Sequence, residues 1–573
     1  MTKQENDFSF TDLFWPLTNK KVVGILIAVG FIVHYHVLFN GFVWDDLTYI
    51  IGNPELKNFN LVTLVGPNMF NSSGYFRPLP AVYFSLLHHL FGNTAFFYHF
   101  FQLSLHIVCT SLLYFIFQKF FSRGLSLFLA LVFLVHPINV ESVAYVGSTQ
   151  SQLYFIFGCL AFYLSLKNVS SLRQTLLIHG LLLLALLTKE VSFLFLLLIY
   201  SYKLLTQKQI SRTFIFYTVV TVLIYLTIRF SVLGAVLQKM HLIPISEISL
   251  WQRLAHIPII LFYYPKTFFW PQVLAIDQIW TISQLNWSTF YLPLLFDVIF
   301  YGGLLALLVY FCKRHRSVVK PYLLFLFWFI SGLGLLLQIF PLDMTVADRW
   351  FYFPIVGLLG VVGIVIERFK VKNLFLAFFI LAALSVRTMI RNADWYSTLT
   401  LYGHDVSYYP NYDIENYLGA DLVSAGRPKE ALVHFKKSVA LLPHDTNIFN
   451  IGSVYELLKD YPNSKIYYQQ ALSVKDKYLN HAQVRQLAAE GLSRVTLRLG
   501  EYRLSIDSAR ANLVEFPTNG SLWGYLAIGE YLLNNKPEAI KAAANAKTYL
   551  PNTTTEKLYQ MIINNQDLTP LLK

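Results

Sequence analysis

Apolar runs long enough to cross about 30 Å of hydrocarbon recur at 22–39, 95–118, 123–138, 143–166, 174–188, 190–205, 211–231, 289–312, 320–340, 349–366 and 373–390. The pattern predicts about eleven membrane crossings. Two further apolar stretches, 76–92 and 251–270, carry Arg77 and Arg253 near their starts and prolines at Pro78, Pro80, Pro258 and Pro265. Those features predict interfacial or re-entrant helices rather than crossings.

From about residue 395 the pattern changes to polar sequence with Ala and Leu at helical spacing and no run long enough to span. It predicts a separate domain over 395–573, following a membrane domain over 1–394. Within it Leu418-Gly419, Ala431, Phe435 and Pro443 are followed 33 residues later by Ile451-Gly452, with Tyr455, Tyr468 and Ala471. A later copy reads Trp523, Leu526, Ala539, Ala546 and Pro551, and a degenerate one ends at Pro517. These spacings match the tetratricopeptide pattern, about four copies, in which a small residue at the eighth position lets paired helices approach closely. Stacked copies form a concave surface suited to an extended peptide or a protein partner. The fold class is therefore all-α: a polytopic membrane bundle followed by an α-solenoid.

Composition narrows the function. Of 573 residues 55% are hydrophobic and 13% charged, which excludes an ordinary cytosolic enzyme. The net charge of +13 raises nucleic-acid binding only if it clusters beside stacking aromatics. Instead the basic residues lie in gaps at Lys20/Lys21, Lys119/Arg123, Lys167/Arg173, Lys203/Lys208/Arg212, Lys313/Arg314/Arg316/Lys320 and Arg368/Lys370/Lys372. A cytoplasmic N-terminus puts all of them on one side, as the positive-inside rule requires, and no nucleic-acid partner is expected. Cys109, Cys159 and Cys312 form no CxxC or Cys/His pattern and read as core filler. The run 22–39 is too long for the apolar part of a cleaved signal, so it is expected to remain as the first membrane helix.

The opposite, outer face receives the candidate chemistry. Asp45 and Asp46, in the string Asn40–Leu47, directly follow the first membrane helix. Paired carboxylates at that depth suit general-base work, because mutual repulsion and partial burial raise one pKa; a solvated loop acid or a helix cap is the plain alternative. Arg77 opens the next helix. His136 and Glu141 end one membrane helix and begin another, where capping explains Glu141 as well as function does. Lys189-Glu190 interrupts the apolar stretch 175–200, as a turn-forming ion pair also would. Asp348-Arg349 places a guanidinium at the mouth of another helix, and Arg is the natural clamp for a lipid phosphate. His99, Gln102 and His106 share one helix face and His34 and His36 precede the acids, but no metal-ligand spacing appears, so buried hydrogen-bonded histidines are expected and no metal. No nucleotide-binding phosphate loop is present in the sequence, so the energy for any reaction is expected from an activated lipid.

A membrane bundle with an acid pair in its first outer loop and tetratricopeptide repeats behind it resembles the GT-C glycosyltransferases. More narrowly it is similar to the transmembrane and tetratricopeptide-repeat protein O-mannosyltransferases and their prokaryotic relatives. The matching strings are Phe42-Val43-Trp44-Asp45-Asp46, Tyr75-Phe76-Arg77-Pro78-Leu79, His136-Pro137 with Glu141-Ser142-Val143-Ala144, Lys189-Glu190, and Asp348-Arg349-Trp350-Phe351-Tyr352. The resemblance implies transfer of a hexose, mannose in that family, from a polyprenyl-phosphate donor to a Ser or Thr hydroxyl of an extracytoplasmic protein. It implies Asp45 as base in a single inverting displacement, with Asp46 tuning it or positioning the acceptor. Arg349, with Arg77 and Lys189, would meet the donor phosphate, and His136, Glu141, Glu190 and Asp348 would support the site. Beyond the lipid-linked donor no cofactor is implied. One departure is visible: where relatives carry a basic and then an acidic residue, this chain has Gly147-Ser148-Thr149-Gln150-Ser151-Gln152, all uncharged.

Two other classes compete. A polysaccharide ligase or polymerase would place its basic residues and histidine in a large late outer loop. A non-enzymatic repeat scaffold leaves the acid pair and outer arginines without a reason. The expected partners are the bilayer, the lipid-linked sugar, an acceptor protein and a protein in the repeat groove. The expected location is the bacterial inner membrane with site and repeats in the periplasm, or the endoplasmic-reticulum membrane in a eukaryote.

Overall fold

The computed structural model describes residues 16–66, 75–167, 171–207, 209–233, 243–371, 373–474 and 481–571. Lys208 and Lys372 of the basic gaps, and 234–242 of a long outer loop, lie outside these residues. The chain divides into two compact units, Met1–His404 and Asp405–Lys573. Helices dominate both, and among the described residues the sole β pairing is an isolated bridge between Gln278 and Val346.

The principal helices of the first unit are α1 (Asn19–His34), α2 (Pro78–Phe91), α3 (Ala95–Phe117), α4 (Arg123–Val135), α5 (Val140–Ala144), α6 (Thr149–Ser165), α7 (Leu172–Leu186), α8 (Phe193–Thr206), α9 (Arg212–Leu233), α10 (Ile257–Phe269), α11 (Leu292–Arg314), α12 (Arg316–Gly334), α13 (Pro354–Arg368) and α14 (Leu374–Asp394). Every apolar run of the sequence is thus helical, and the unit is a multi-pass membrane bundle. Among the described residues six helices are both long and apolar enough to cross, and a seventh if the bent pair 123–135 and 137–144 counts as one span. The other four runs form α6, α7, α8 and α13, of 17, 15, 14 and 15 residues. At about 1.5 Å per residue these fall short of the ~30 Å core, because 3-10 turns at 146–148, 190–192 and 348–352 take up the ends of three of the runs.

The bend of 51° after α4 has an identifiable cause. Pro137 has no N–H to donate back into α4, so carbonyls at the helix end lose their helical partners. Side chains replace them: Asn139 Nδ2 donates to Phe133 O at 2.8 Å, and Thr388 Oγ1 on α14 donates to Val135 O at 2.7 Å. His34 of α1 and His106 of α3 both donate from Nε2 to Leu134 O, at 3.0 and 3.2 Å. Their Nδ1 atoms accept from Asn392 Nδ2 and Tyr352 Oη. In a medium without water such replacements are obligatory.

Glycines set the closest helix approach. A Cβ on Gly357 of α13 would stand 2.3 Å from the backbone N of Phe329 on α12, and one on Gly360 would stand 2.1 Å from the Phe325 ring. Around this contact Phe195, Trp328 and Phe353 are fully or almost fully buried.

The second unit is a series of antiparallel pairs: α15 (Tyr412–Ser424) with α16 (Pro428–Leu441), α17 (Asp445–Leu457) with α18 (Tyr461–Ser473), α19 (His481–Arg498) with α20 (Tyr502–Glu515) and α21 (Gly520–Leu532) with α22 (Lys536–Tyr549), closed by α23 (Thr553–Ile563). Gly419 faces the Phe435 ring, and the Tyr468 ring is wedged between Gly452 and Gly491. These are the small-against-large contacts that the repeat spacing predicts.

Gly357→Ala is expected to cost about 1–3 kcal/mol, because backbone rather than a flexible side-chain end must yield. Thermal unfolding in detergent checks this, with Gly24→Ala, where a Cβ meets nothing within 4 Å, expected to melt as wild type.

Candidate active site

The acid pair follows a turn at Trp44, a buried residue held at φ 54°. A bulky side chain in the left-handed region stores about 1–3 kcal/mol of strain and marks an over-determined position. The turn presents both carboxyl groups to residues 145–147 at the start of α6, where they meet different partners. Asp46 is fully buried and accepts from the backbone N–H of Gly147 at 2.7 Å and of Val43 at 3.3 Å. Burial pushes its pKa up to about 8 against the pull of those donors, and the neighbouring Asp45 charge adds to the rise. Near neutral pH Asp46 is therefore largely protonated. Asp45 is half-buried, and the Tyr145 hydroxyl donates to its Oδ2 at 3.3 Å.

The uncharged stretch that follows is where the site converges. Arg77 donates from one Nη to Gln150 Oε1 at 2.9 Å and pairs with Glu190 at 3.3 Å. Lys189 Nζ donates to Ser151 Oγ at 3.3 Å and forms no ion pair with its neighbour Glu190, which instead meets Arg77 and, at 3.6 Å, Arg229. Burial would raise the Glu190 carboxyl, but Arg77, Arg229 and the Phe76 N–H outweigh it and hold it below the usual range. Burial, then the charges of Arg77 and Arg349, bring the Lys189 amine down to about 7. Thr149 and Gln152 bind Gln102 of α3, which fixes the start of α6.

Arg349 reaches the same region from the opposite side. Its guanidinium pairs with Glu141, and its backbone N–H donates to the other Glu141 oxygen at 2.9 Å. It lies 5.2 Å from the Trp44 ring centre and 6.0 Å from that of Tyr145. Burial opposes its charge, yet Glu141 and Asp343 hold its pKa above the ordinary value.

Asp45, Asp46, Arg77, Lys189, Glu190, Glu141 and Arg349 are thus gathered around 141–151. The other two sequence candidates are committed elsewhere. His136 accepts the Ile138 N–H at Nδ1, donates from Nε2 to Phe268 O at 3.0 Å and stacks on the Phe268 ring. Asp348 accepts from Tyr263 Oη at 2.5 Å, and Tyr263 accepts from Gln278. His136 thus holds backbone beside the site, and Asp348 holds the Tyr263 side chain. Among the described residues no three His, Cys, Asp or Glu side chains gather closely enough to hold a metal ion.

Sequence reasoning missed four contributors. Tyr145 and Trp395 look like ordinary apolar positions, and their stacked rings, 6.3 Å apart, depend on α14 returning to the first loop. Arg229 carried a usable signal, a charge inside an apolar run. Asp343 lies within electrostatic reach of Arg77, Lys189 and Arg349 together, which only the folded loop discloses.

Comparison with known proteins finds relatives named as protein O-mannosyl-transferases. No family model matches the chain. It is similar to protein O-mannosyl-transferase TMTC3 of Homo sapiens, 24% identical over 96% of this chain and 66% of that protein. It is also similar to a protein O-mannosyl-transferase of Caenorhabditis elegans, 24% identical over 73% of this chain and 62% of the relative. Tmtc2 of Drosophila melanogaster matches at 32% over 24% of the chain and 15% of that protein. The chain accordingly spans just under two thirds of the length of the first two relatives. Among solved structures the APC/C hetero-tetramer Cut9-Hcn1 aligns at 13% identity over 84% of this chain and 92% of that one, with a TM-score of 0.26, which carries no argument.

Glu141→Gln leaves a buried guanidinium without its counter-charge, and a loss of about 3–5 kcal/mol is expected. Glu141→Gln combined with Arg349→Met should lose clearly less than the sum of the single changes; a double-mutant cycle on thermal unfolding in detergent measures the difference.

Proposed function

We propose that this chain is an integral-membrane glycosyltransferase that moves a hexose, mannose by analogy with the named activity of its relatives, from a polyprenyl-phosphate carrier to a Ser or Thr hydroxyl outside the cytoplasm. The observation that carries the reading is the convergence of one half-buried carboxylate and three basic side chains on residues 141–151 from segments far apart in sequence. A carboxylate facing cations at a membrane surface suits a reaction with an acceptor proton to remove and an anion to release.

In this mechanism Asp45 takes the acceptor proton as the hydroxyl oxygen attacks the anomeric carbon, and the bond to the carrier phosphate breaks on the opposite side. One displacement inverts the anomeric centre. The departing phosphate needs charge stabilisation rather than protonation. Arg349 and Arg77 supply it from fixed orientations, each held by a carboxylate and by an uncharged or aromatic neighbour. Lys189 adds a charge that depends on pH, since burial and the neighbouring charges of Arg77 and Arg349 lower its pKa to about 7. Asp46 keeps the loop in place rather than touching the acceptor. The second unit, built of tetratricopeptide-like helix pairs, holds the acceptor or a protein partner. The reading places the chain in the bacterial inner membrane facing the periplasm, or in the endoplasmic-reticulum membrane.

Detergent-solubilised protein is expected to transfer radiolabel from polyprenyl-phosphate mannose to a Ser/Thr-rich peptide, and Asp45→Asn to lower the rate by at least about a hundredfold. Equal transfer by both proteins would remove Asp45 as base. As pH rises through 7 the Lys189 amine loses its charge, so KM for the lipid donor should rise about tenfold between pH 6 and 8.5. Lys189→Arg, charged throughout that range, should give a flat KM in the same assay.

A further inference from the structure

Tyr145 sits where the two halves of the site meet, although no motif of the sequence points to it. It is 6% exposed. Its ring lies 5.1 Å from Trp44 and, stacked, 6.3 Å from Trp395, while Arg349 stands 6.0 Å from the ring centre. Its carbonyl accepts from Gln102 Nε2 at 3.3 Å, so backbone and ring are both held. Two residues on, the Gly147 N–H binds Asp46. One short segment therefore addresses both acids, with a backbone donor for Asp46 and a phenol for Asp45.

We propose that Tyr145 is a positioning residue: its hydroxyl, donating to Asp45 Oδ2, fixes the rotation of that carboxylate and stabilises its ionised form. The assignment rests on the reading of Asp45 as the base. Charge-assisted hydrogen bonds are roughly twice as strong as neutral ones, and a donor to a carboxylate favours its charged state. The donor itself is secure. Burial, then the negative charges of Asp45 and Asp46, raise the phenol well above its ordinary pKa, so it keeps its proton. The charged and titratable groups around this contact are Asp46 and Tyr49 from the first loop, Tyr145 from the turn before α6 and Arg349 across the ring. A clamped carboxylate presents a fixed lone pair to the incoming hydroxyl, which counts because misplacement by about 1 Å can cost a hundredfold in rate.

Infrared titration of carboxyl bands in the full chain tests this without depending on turnover, with Asp45→Asn identifying the Asp45 band. In Tyr145→Phe the Asp45 titration should move up by about one pH unit. Incorporation of 3,5-difluorotyrosine at 145, a stronger donor on an almost unchanged ring, should move it down. In the transfer assay Tyr145→Phe should lower kcat about tenfold with KM for the donor unchanged, and its acid limb should move up in step with the infrared shift. An Asp45 band that titrates identically in wild type, Tyr145→Phe and the fluorinated protein overturns the assignment. If wild type transfers no sugar while the band still shifts, the clamp stands and the functional reading falls.

Discussion

The carbonyls freed at the end of α4 are the constraint from which much of the first unit follows. A proline in an apolar helix leaves acceptors that a bilayer cannot satisfy, so protein groups must come to them. They come from α1, α3 and α14, as His34, His106 and Thr388, and each donor ties its helix to the same break. His34 and His106, expected from sequence to be buried and hydrogen-bonded, are thereby spent on backbone. Because α4 stops and turns there, residues 137–148 run as short turns before α6 begins, and Asp45, Asp46 and Arg349 are met along that path, with Arg77 and Lys189 met just beyond it on the first turn of α6.

The site is then a problem of keeping charges buried and separate. Glu141 answers Arg349 and Glu190 answers Arg77, which fixes both guanidinium groups in place, while Lys189 donates to the Ser151 hydroxyl within reach of both cations. Asp46 is buried against backbone donors, whereas Asp45 accepts from the Tyr145 hydroxyl. Two adjacent carboxylates of identical chemistry thus stand in different surroundings, one buried against backbone donors and the other half-buried against a phenol.

The second unit rests on simpler physics. Alternating glycine and large aromatic residues let helices of 13 or 14 residues pair closely, and the pairing repeats without a distant contact having to form. Tyr468 between Gly452 and Gly491 shows how one side chain joins neighbouring pairs.

That locality explains what could be read directly. The positions of the apolar helices, the change of pattern near residue 395 and the repeat spacing are set by neighbours a few residues apart, so the linear pattern discloses them. Asp45, Arg77, Lys189, Glu141 and Arg349 were also legible, because a charge beside an apolar run must have a use or a partner. Pairing was not. Lys189 with Ser151, Glu190 with Arg77, Gln150 with Arg77, and Tyr145 between Trp44 and Trp395 depend on which loops the bundle brings together. The helices α6, α8 and α13 are shorter than the apolar runs that predict them, since the 3-10 turns at 146–148, 190–192 and 348–352 lie within or beside those runs. The sequence by itself determined the helices and the charges that must be accommodated; tertiary structure alone decided which charges face one another, because that rests on contacts between segments whose separation along the chain carries no signal.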